Sequence, residues 1–501
     1  MAQTRTADLI GALDEAALSR FHLRAAVVSG MGFFTDAYDL FVIGVASSLI
    51  KLDWNLDTGQ LALLNATMLG AAFLGALVFG RVADVIGRKR VYWVVAAIMA
   101  FAAIGSALAP SFWVLIAFRF LLGFGVGGDY PVSAVLMSEY ANARDRGRLV
   151  GLVFSTQALG LIVGPLIALG LLGAGTSTDL TWRLLLGLGA VPAAAVIYLR
   201  RTMPESPRFQ VQVLGRGAEA ETEMHALTGG VVGGVVGGAA GGVAGGVGGV
   251  VGGVVSGAGG VVSGAGATAA PQRMGLRAFL ADRRLLLTLA GTAGCWFLLD
   301  YAYYGNTIST PQIIGLISPT ASTMTTIAIQ LGIFVVAAVP GYILGIVRID
   351  RIGHRRLQFG GFLMMALCFA FIAIVPGMTT LVVPFLAVYG LSYFFTEFGP
   401  NMTTFVLPSE LYPVSMRATG HGISAGIGKF GAFIGVFLFP ILQTSLGLRG
   451  TLLLTAFVSV GGAALTRVLP EPAGRSLEEI ACYRHADGVS ATVLAAGGRP
   501  G

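Results

Sequence analysis

Five ionisable residues stand out inside the long apolar runs of this 501-residue chain: Asp36, Asp39, Asp129, Asp300 and Lys429. A charge at the centre of a membrane helix is penalised by about 2.5 to 3.5 kcal/mol on insertion scales, so such residues point to ion or proton handling. Asp36 and Asp39 are three apart in GMGFFTDAYDLF and share one helix face. In CWFLLDYAYYGN, Trp296, Asp300 and Tyr304 stand four residues apart in turn, which puts an indole N–H, a carboxyl and a phenol in line. Tyr130 follows Asp129 in FGVGGDYP, Gln157 sits in VFSTQALG and Asn401 in FGPN. Lys429 is the one intramembrane lysine in view and cannot neutralise four carboxyls, so some of these are expected to hold or pass protons.

These residues need helices that cross a bilayer. Hydrophobic residues make up 55% of the chain, charged residues 11%, and mean hydropathy is +0.80. A soluble domain carries roughly 25% charged residues, so a water-soluble globule of this length is excluded. Stretches such as WVVAAIMAFAAIGSALA lack the strict alternation of a membrane β-barrel. The expected fold is an all-α polytopic membrane protein. It has about 12 spans in two six-helix halves, starting near residues 25, 60, 91, 112, 149, 183, 285, 322, 357, 380, 419 and 449.

Basic clusters fall in alternate loops: Arg81 with Arg88, Lys89 and Arg90, then Arg144 to Arg148, then Arg348 to Arg356, then Arg417. The positive-inside rule makes these loops and both termini cytoplasmic, in a multi-pass protein of the cell membrane. The net charge of +7 is therefore topological, without the aromatic interleaving of a nucleic-acid surface. The N-terminal segment lacks a cleavable signal, so the first span is expected to direct insertion. Three scattered cysteines and five scattered histidines suggest no metal site, no disulfide framework and no cofactor. No catalytic set is legible, and the chain does not read as an enzyme.

The halves repeat. Asp84 and Gly87 recur as Asp350 and Gly353, and Pro204–Glu205 as Pro470–Glu471, at one common offset. Ser138, Glu139 and Arg146 recur as Ser409, Glu410 and Arg417 at a second. The expected units are residues 1–200, a cytoplasmic linker 201–284 with a Gly/Val-rich low-complexity segment, a second half 285–470 and a cytoplasmic tail 471–501. Such duplication suits a transporter that rocks one half against the other around a midplane site. FGVGGDYP and FGPN occupy equivalent places, and their glycines and prolines are expected to interrupt both helices and free backbone N–H groups for an anion.

The loop from Gly80 through Asp84, Gly87, Arg88, Lys89 and Arg90 resembles the cytoplasmic signature of the major facilitator superfamily. With Asp350, Arg146 and Arg417 it suits a gate, in which a carboxylate meets a neighbouring helix end in one conformation only. GMGFFTDAYDLF, GGDYPVSAVLMSEYANARDRG, WFLLDYAYYGN and FGPNMTTFVLPSELYPVSMRATGHGISAGIGKFGA resemble the motifs of the phosphate:proton symporter family within that superfamily. The resemblance implies phosphate contacts from Tyr130, Gln157, Trp296, Asp300, Tyr304 and Asn401. It implies proton-linked roles for Asp36, Asp39, Asp129 and Asp300, with Lys429 at the family's intramembrane lysine. The expected partners are phosphate, protons and lipid, with no obligate protein partner.

The alternatives are an organic-acid or sugar symporter of the same superfamily and a phosphate sensor without flux. Arg119 is the one arginine that could serve an organic acid, and it reads more simply as a packing residue bonded to carbonyls. His421 reads as polar packing.

Overall fold

The computed structural model describes residues 11, 13–15, 17–201, 203–214 and 274–480. The Gly/Val-rich segment of the expected linker, and the tail after residue 480, lie outside the described residues. Every regular element among the described residues is helical.

The first half holds α1 (Arg20–Trp54), α2 (Thr58–Ile86), α3 (Arg88–Ala107), α4 (Phe112–Tyr140), α5 (Arg146–Gly173) and α6 (Thr178–Arg200). The second holds α7 (Arg283–Ile308), α8 (Thr323–Ile352), α9 (His354–Ile374) and α10 (Val382–Glu410). A final stretch, Arg417–Thr466, breaks at Gly447 (φ 68°, ψ 174°) into α11 (417–446) and α12 (448–466). Among the described residues twelve membrane helices result, starting close to the expected positions, and the chain is a multi-pass membrane protein.

Local signals start these helices. Asp57 accepts the Gln60 amide at 2.8 Å while Gln60 reaches back to the Asp57 N–H, a reciprocal cap that opens α2. Asp282 caps α7 and Ser322 caps α8. Gly87 and Gly353, at φ 102° and 96°, make the two sharp corners between α2 and α3 and between α8 and α9. Only glycine adopts that backbone without strain.

The outer surface is apolar, with Phe101, Trp113, Val336, Val383 and Phe457 all exposed. The buried interior carries the charges. That inversion is what lipid as a solvent requires. The halves meet along α2 with α11 and α5 with α8. At the first seam Gly80 lies under the Ala418 carbonyl and beside Gly422, so small residues let two backbones touch.

One expectation is corrected. The helix α4 runs unbroken through Gly127, Gly128 and Pro131, whereas α10 does break, at Gly399 (φ −122°, ψ −100°). The glycines of α4 serve packing instead. A Cβ at Gly123 or Gly127 would strike the carbonyl of Met68 or Ala72 on α2, and one at Gly128 would strike Phe79. Of the two equivalent segments, only the one in α10 interrupts its helix.

Candidate functional site

The predicted line Trp296, Asp300 and Tyr304 faces inward from α7, and all three are buried. Lys429 crosses from α11 and places its Nζ 3.0 Å from Asp300 Oδ2 and 3.0 Å from the Tyr304 hydroxyl. The same ammonium lies 4.5 Å from the centre of the Tyr130 ring and 4.3 Å from that of Tyr304. Trp296 packs against Gly428, where any side chain would collide with its indole. The second oxygen of Asp300 has no donor on it apart from the Trp296 indole. A cation, a carboxylate with a free lone pair and two phenols thus converge between the halves, a donor-rich cradle for an anion.

Asn401 stands two residues past the α10 break. Its amide nitrogen reaches the Tyr342 hydroxyl at 2.9 Å and Glu397 Oε2 at 2.5 Å. Tyr342 in turn faces Tyr304 and Tyr130, which joins Asn401 to the Lys429 cradle. Gln157 is buried where α5 kinks at Thr156, and its amide nitrogen has no partner. Sequence reasoning passed over Glu397, Tyr342 and Tyr303. The spacing of Glu397 four residues before Asn401 was the signal available.

The four aspartates do not form one cluster. Asp129 is gripped by Arg200 of α6 through paired contacts of 2.6 and 2.7 Å, with Arg200 lying over the Tyr92 ring. Gly32 on α1 has no side chain because a Cβ there would collide with that ion pair. Arg200 went unremarked in the sequence, so Lys429 is not the one cation available to the buried carboxylates. Asp36 faces Asp129, Arg200, Asp39 and Lys429, yet neither of its oxygens has a hydrogen-bond partner. Asp39 is likewise unpartnered at its carboxyl. Arg119 donates to the Asp39 backbone carbonyl at 2.9 Å, the packing role expected of it. His421 lies 3.1 Å from the Phe405 carbonyl oxygen, also as expected.

Aromatic rings close the centre on both sides. Towards the basic loops, Phe405 stacks on Phe154 with centroids 4.6 Å apart and meets Phe33 edge-on at 4.8 Å. On the other side Phe41 stacks on Tyr304 at 5.4 Å. Beyond it, at the end opposite the basic loops, a cavity of about 280 Å³ opens between the halves. Lys51, Asn65, Ser309 and Gln312 are among its lining residues.

The basic end is shut by two repeat-related clusters. In one, Asp84 accepts from the Ala418 and Thr419 amides and the Thr419 hydroxyl, at 3.3, 2.6 and 2.6 Å, and so caps the start of α11. Arg88 lies 3.0 Å from Asp84 and 3.2 Å from Glu139, and Arg417 adds a second contact to Glu139 at 3.2 Å. In the other, Asp350 accepts the Arg148 amide at 2.8 Å and so caps the start of α5. His354 stands between Asp350 at 3.1 Å and Glu410 at 3.3 Å. Ser138 donates to the Ser409 carbonyl where the two clusters meet.

Gly80, Asp84, Gly87, Arg88, Arg146, Asp350 and Arg417 all take part in this closure. Lys89 does not: its side chain is exposed, and only its backbone N–H is engaged, by Glu205. Glu471 holds the His354 and Arg355 amides in the matching place.

Outside the membrane helices a latch lies over the clusters. Arg208 bridges Asp14 at 2.6 Å and Glu478, and Arg146 reaches Asp14 at 3.3 Å. Burial pushes the Glu478 carboxyl up, but the Arg208 guanidinium outweighs it and holds Glu478 below its ordinary value. Burial wins at Asp14, whose carboxyl is raised despite Arg208 and Arg146.

Comparison with known proteins agrees with this geometry. A family profile described as "Sugar (and other) transporter" matches residues 25–231 and 283–482, in two blocks. "Probable inorganic phosphate transporter 1-6" of Arabidopsis thaliana is 34% identical, over 96% of this chain and 97% of its own length. "Inorganic phosphate transporter 1-6" of Oryza sativa subsp. japonica is 35% identical, over 94% and 95%. Among solved structures, the proton:xylose symporter XylE bound to 6-bromo-6-deoxy-D-glucose superposes with a TM-score of 0.74 at 18% identity, covering 93% of this chain and 99% of XylE.

Proposed function

We infer what this chain does from the family to which it belongs, the inorganic phosphate transporters of the major facilitator superfamily, and from the chemistry at its centre. It is a membrane transporter, not an enzyme, and we propose that it imports inorganic phosphate together with protons by alternating access. One observation carries the reading: Lys429 is shared between Asp300 and Tyr304 at the junction of the halves, under Tyr130 and beside Trp296.

Dihydrogen phosphate is a tetrahedral anion that both donates and accepts hydrogen bonds. Lys429, Tyr130, Tyr304, Trp296 and the amides of Gln157 and Asn401 supply donors, and the second Asp300 oxygen, which keeps a free lone pair, accepts the P–OH. Sulfate has no proton to give at neutral pH, so the Asp300 oxygen that accepts the P–OH, which stays an acceptor even when the other oxygen is protonated, would be left unpaired, and the site rejects sulfate through that buried acceptor.

The same residues couple the two cargoes. Lys429 neutralises Asp300 when no anion is bound. Phosphate competes for the ammonium, and a proton then takes its place on the carboxylate, because two negative charges side by side in a low dielectric resist joint ionisation. By reciprocity, protonation tightens phosphate binding. Asp36 and Asp39, buried without hydrogen-bond partners, serve as further proton carriers. Asp129 is held by Arg200 and contributes when that pair loosens.

The closed basic end is the cytoplasmic face, with both termini on that side of the cell membrane, and the Lys51 cavity is the outer mouth. Linker 201–284 tethers the halves. Opening the Asp84 and Asp350 clusters while the mouth closes delivers both cargoes inward. Reconstituted protein should take up labelled phosphate under an inward proton gradient, ignore excess sulfate, and lose uptake in Asp300→Asn. Folded protein showing no gradient-driven uptake would sink the reading.

A further inference from the structure

We propose that Glu397 is a second substrate-linked proton carrier, acting on phosphate through Asn401; the proposal rests on the phosphate:proton reading above. Glu397 is fully buried in the half of α10 that precedes the break. Its Oε2 accepts from Asn401, and the hydroxyls of Tyr342 and Tyr303 also bond to the carboxyl.

The groups facing it are neutral. Tyr303 comes from α7, Tyr342 from α8 and Tyr393 from α10 itself. Lys429 of α11 is held by Asp300 and Tyr304. Among the described residues α4, α5 and α9 bring no ionic partner to it. This sets Glu397 apart from the other two fully buried glutamates, which have cations: Glu139 has Arg88 and Arg417, and Glu410 has His354. A buried carboxylate with no cation carries the full desolvation penalty, so in this closed state Glu397 holds a proton.

That proton changes what Asn401 can do. An ionised Glu397 grips the Asn401 amide with a charge-assisted bond and repels an incoming anion. A protonated Glu397 grips it weakly and leaves the N–H groups to phosphate, while the Tyr303 hydroxyl stays on the carboxyl. One proton from the outer water forms an O–H bond on the carboxylate. When the cytoplasmic side opens that bond breaks, the proton passes to water, and phosphate loses its Asn401 contact.

The test is the number of protons moved per phosphate in proteoliposomes, a ratio independent of turnover rate. Glu397→Gln should carry one proton fewer per phosphate than wild type, and an unchanged ratio overturns the proposal. Wild type moving no protons with phosphate would instead refute the parent reading. Should Glu397→Gln not fold, difference infrared spectra of wild-type protein with isotope-labelled glutamate decide the matter. A protonated-glutamate band that shifts when inorganic phosphate is added is expected, and its absence refutes the proposal.

Discussion

The two gate clusters share one plan and differ in their cation. Each corner aspartate caps the first turn of a helix in the other half: Asp84 caps α11 and Asp350 caps α5. Each glutamate, Glu205 or Glu471, caps the helix after the corner. Yet Glu139 is held in contact by two arginines, whereas its counterpart Glu410 touches His354, which stands where the first half has Arg88, and Arg146, the counterpart of Arg417, acts on it through charge alone. A guanidinium keeps its charge at every working pH and an imidazole does not. The first cluster is a permanent clamp and the second a releasable one.

Removing a partner from the permanent clamp should have the largest effect. Arg417→Ala leaves Glu139 with Arg88 alone in a dry site, and loss of one partner of a buried pair costs about 3 to 5 kcal/mol. We expect a large fall in the thermal unfolding midpoint and near-complete loss of uptake; a stable, active variant would mean that the cluster does not clamp.

Next comes a cation exchange between the clusters. At alkaline pH the second cluster should open while the first holds, read as labelling of a cysteine placed behind the gate. His354→Arg should abolish that alkaline opening, and Arg88→His should extend it to the first cluster. Identical profiles in all three proteins would remove the distinction.

The two aspartates should then rank unequally. Asp84 caps α11 through three hydrogen bonds and Asp350 caps α5 through one. With charged hydrogen bonds worth about 1.5 to 3 kcal/mol each, Asp84→Asn should destabilise the closed state more than Asp350→Asn. The reverse order would show that bond count is the wrong measure.

The smallest effects belong to the periphery. Glu478 is held below its ordinary 4.5 by Arg208, so its stabilisation is present above that value and is lost as pH falls through the lower folded-state value. Glu478→Gln should cost about 1 to 2 kcal/mol at neutral pH and little in acid, read as the unfolding midpoint against pH. Lys89→Ala should stay within about 0.5 kcal/mol of wild type, since its side chain touches nothing that closes.

Much of this was legible in sequence because the bilayer makes span length, loop charge and buried carboxylates conspicuous. The α7 line of Trp296, Asp300 and Tyr304 followed from helical spacing, whereas the sequence left open which of the four carboxylates Lys429 meets. What escaped had a second explanation at hand. Arg200 closes a span in YLRR, where an arginine is unremarkable, and nothing in the sequence ties it to Asp129. Gly127, Gly128 and Pro131 have the composition of a helix break but act in close packing against α2. His354 passed for a loop residue because only the aligned repeats show it in an arginine's place. Glu397 lay in plain view in FFTEFGPN, and burial alone distinguishes it from a polar residue at a helix end.

The central claim is that phosphate and proton bind as linked ligands at the Asp300–Lys429 pair. Calorimetric phosphate affinity of purified protein across pH tests it most directly. Affinity should fall as pH rises in wild type, and the dependence should flatten in Asp300→Asn. A wild-type affinity that does not change with pH would contradict the account.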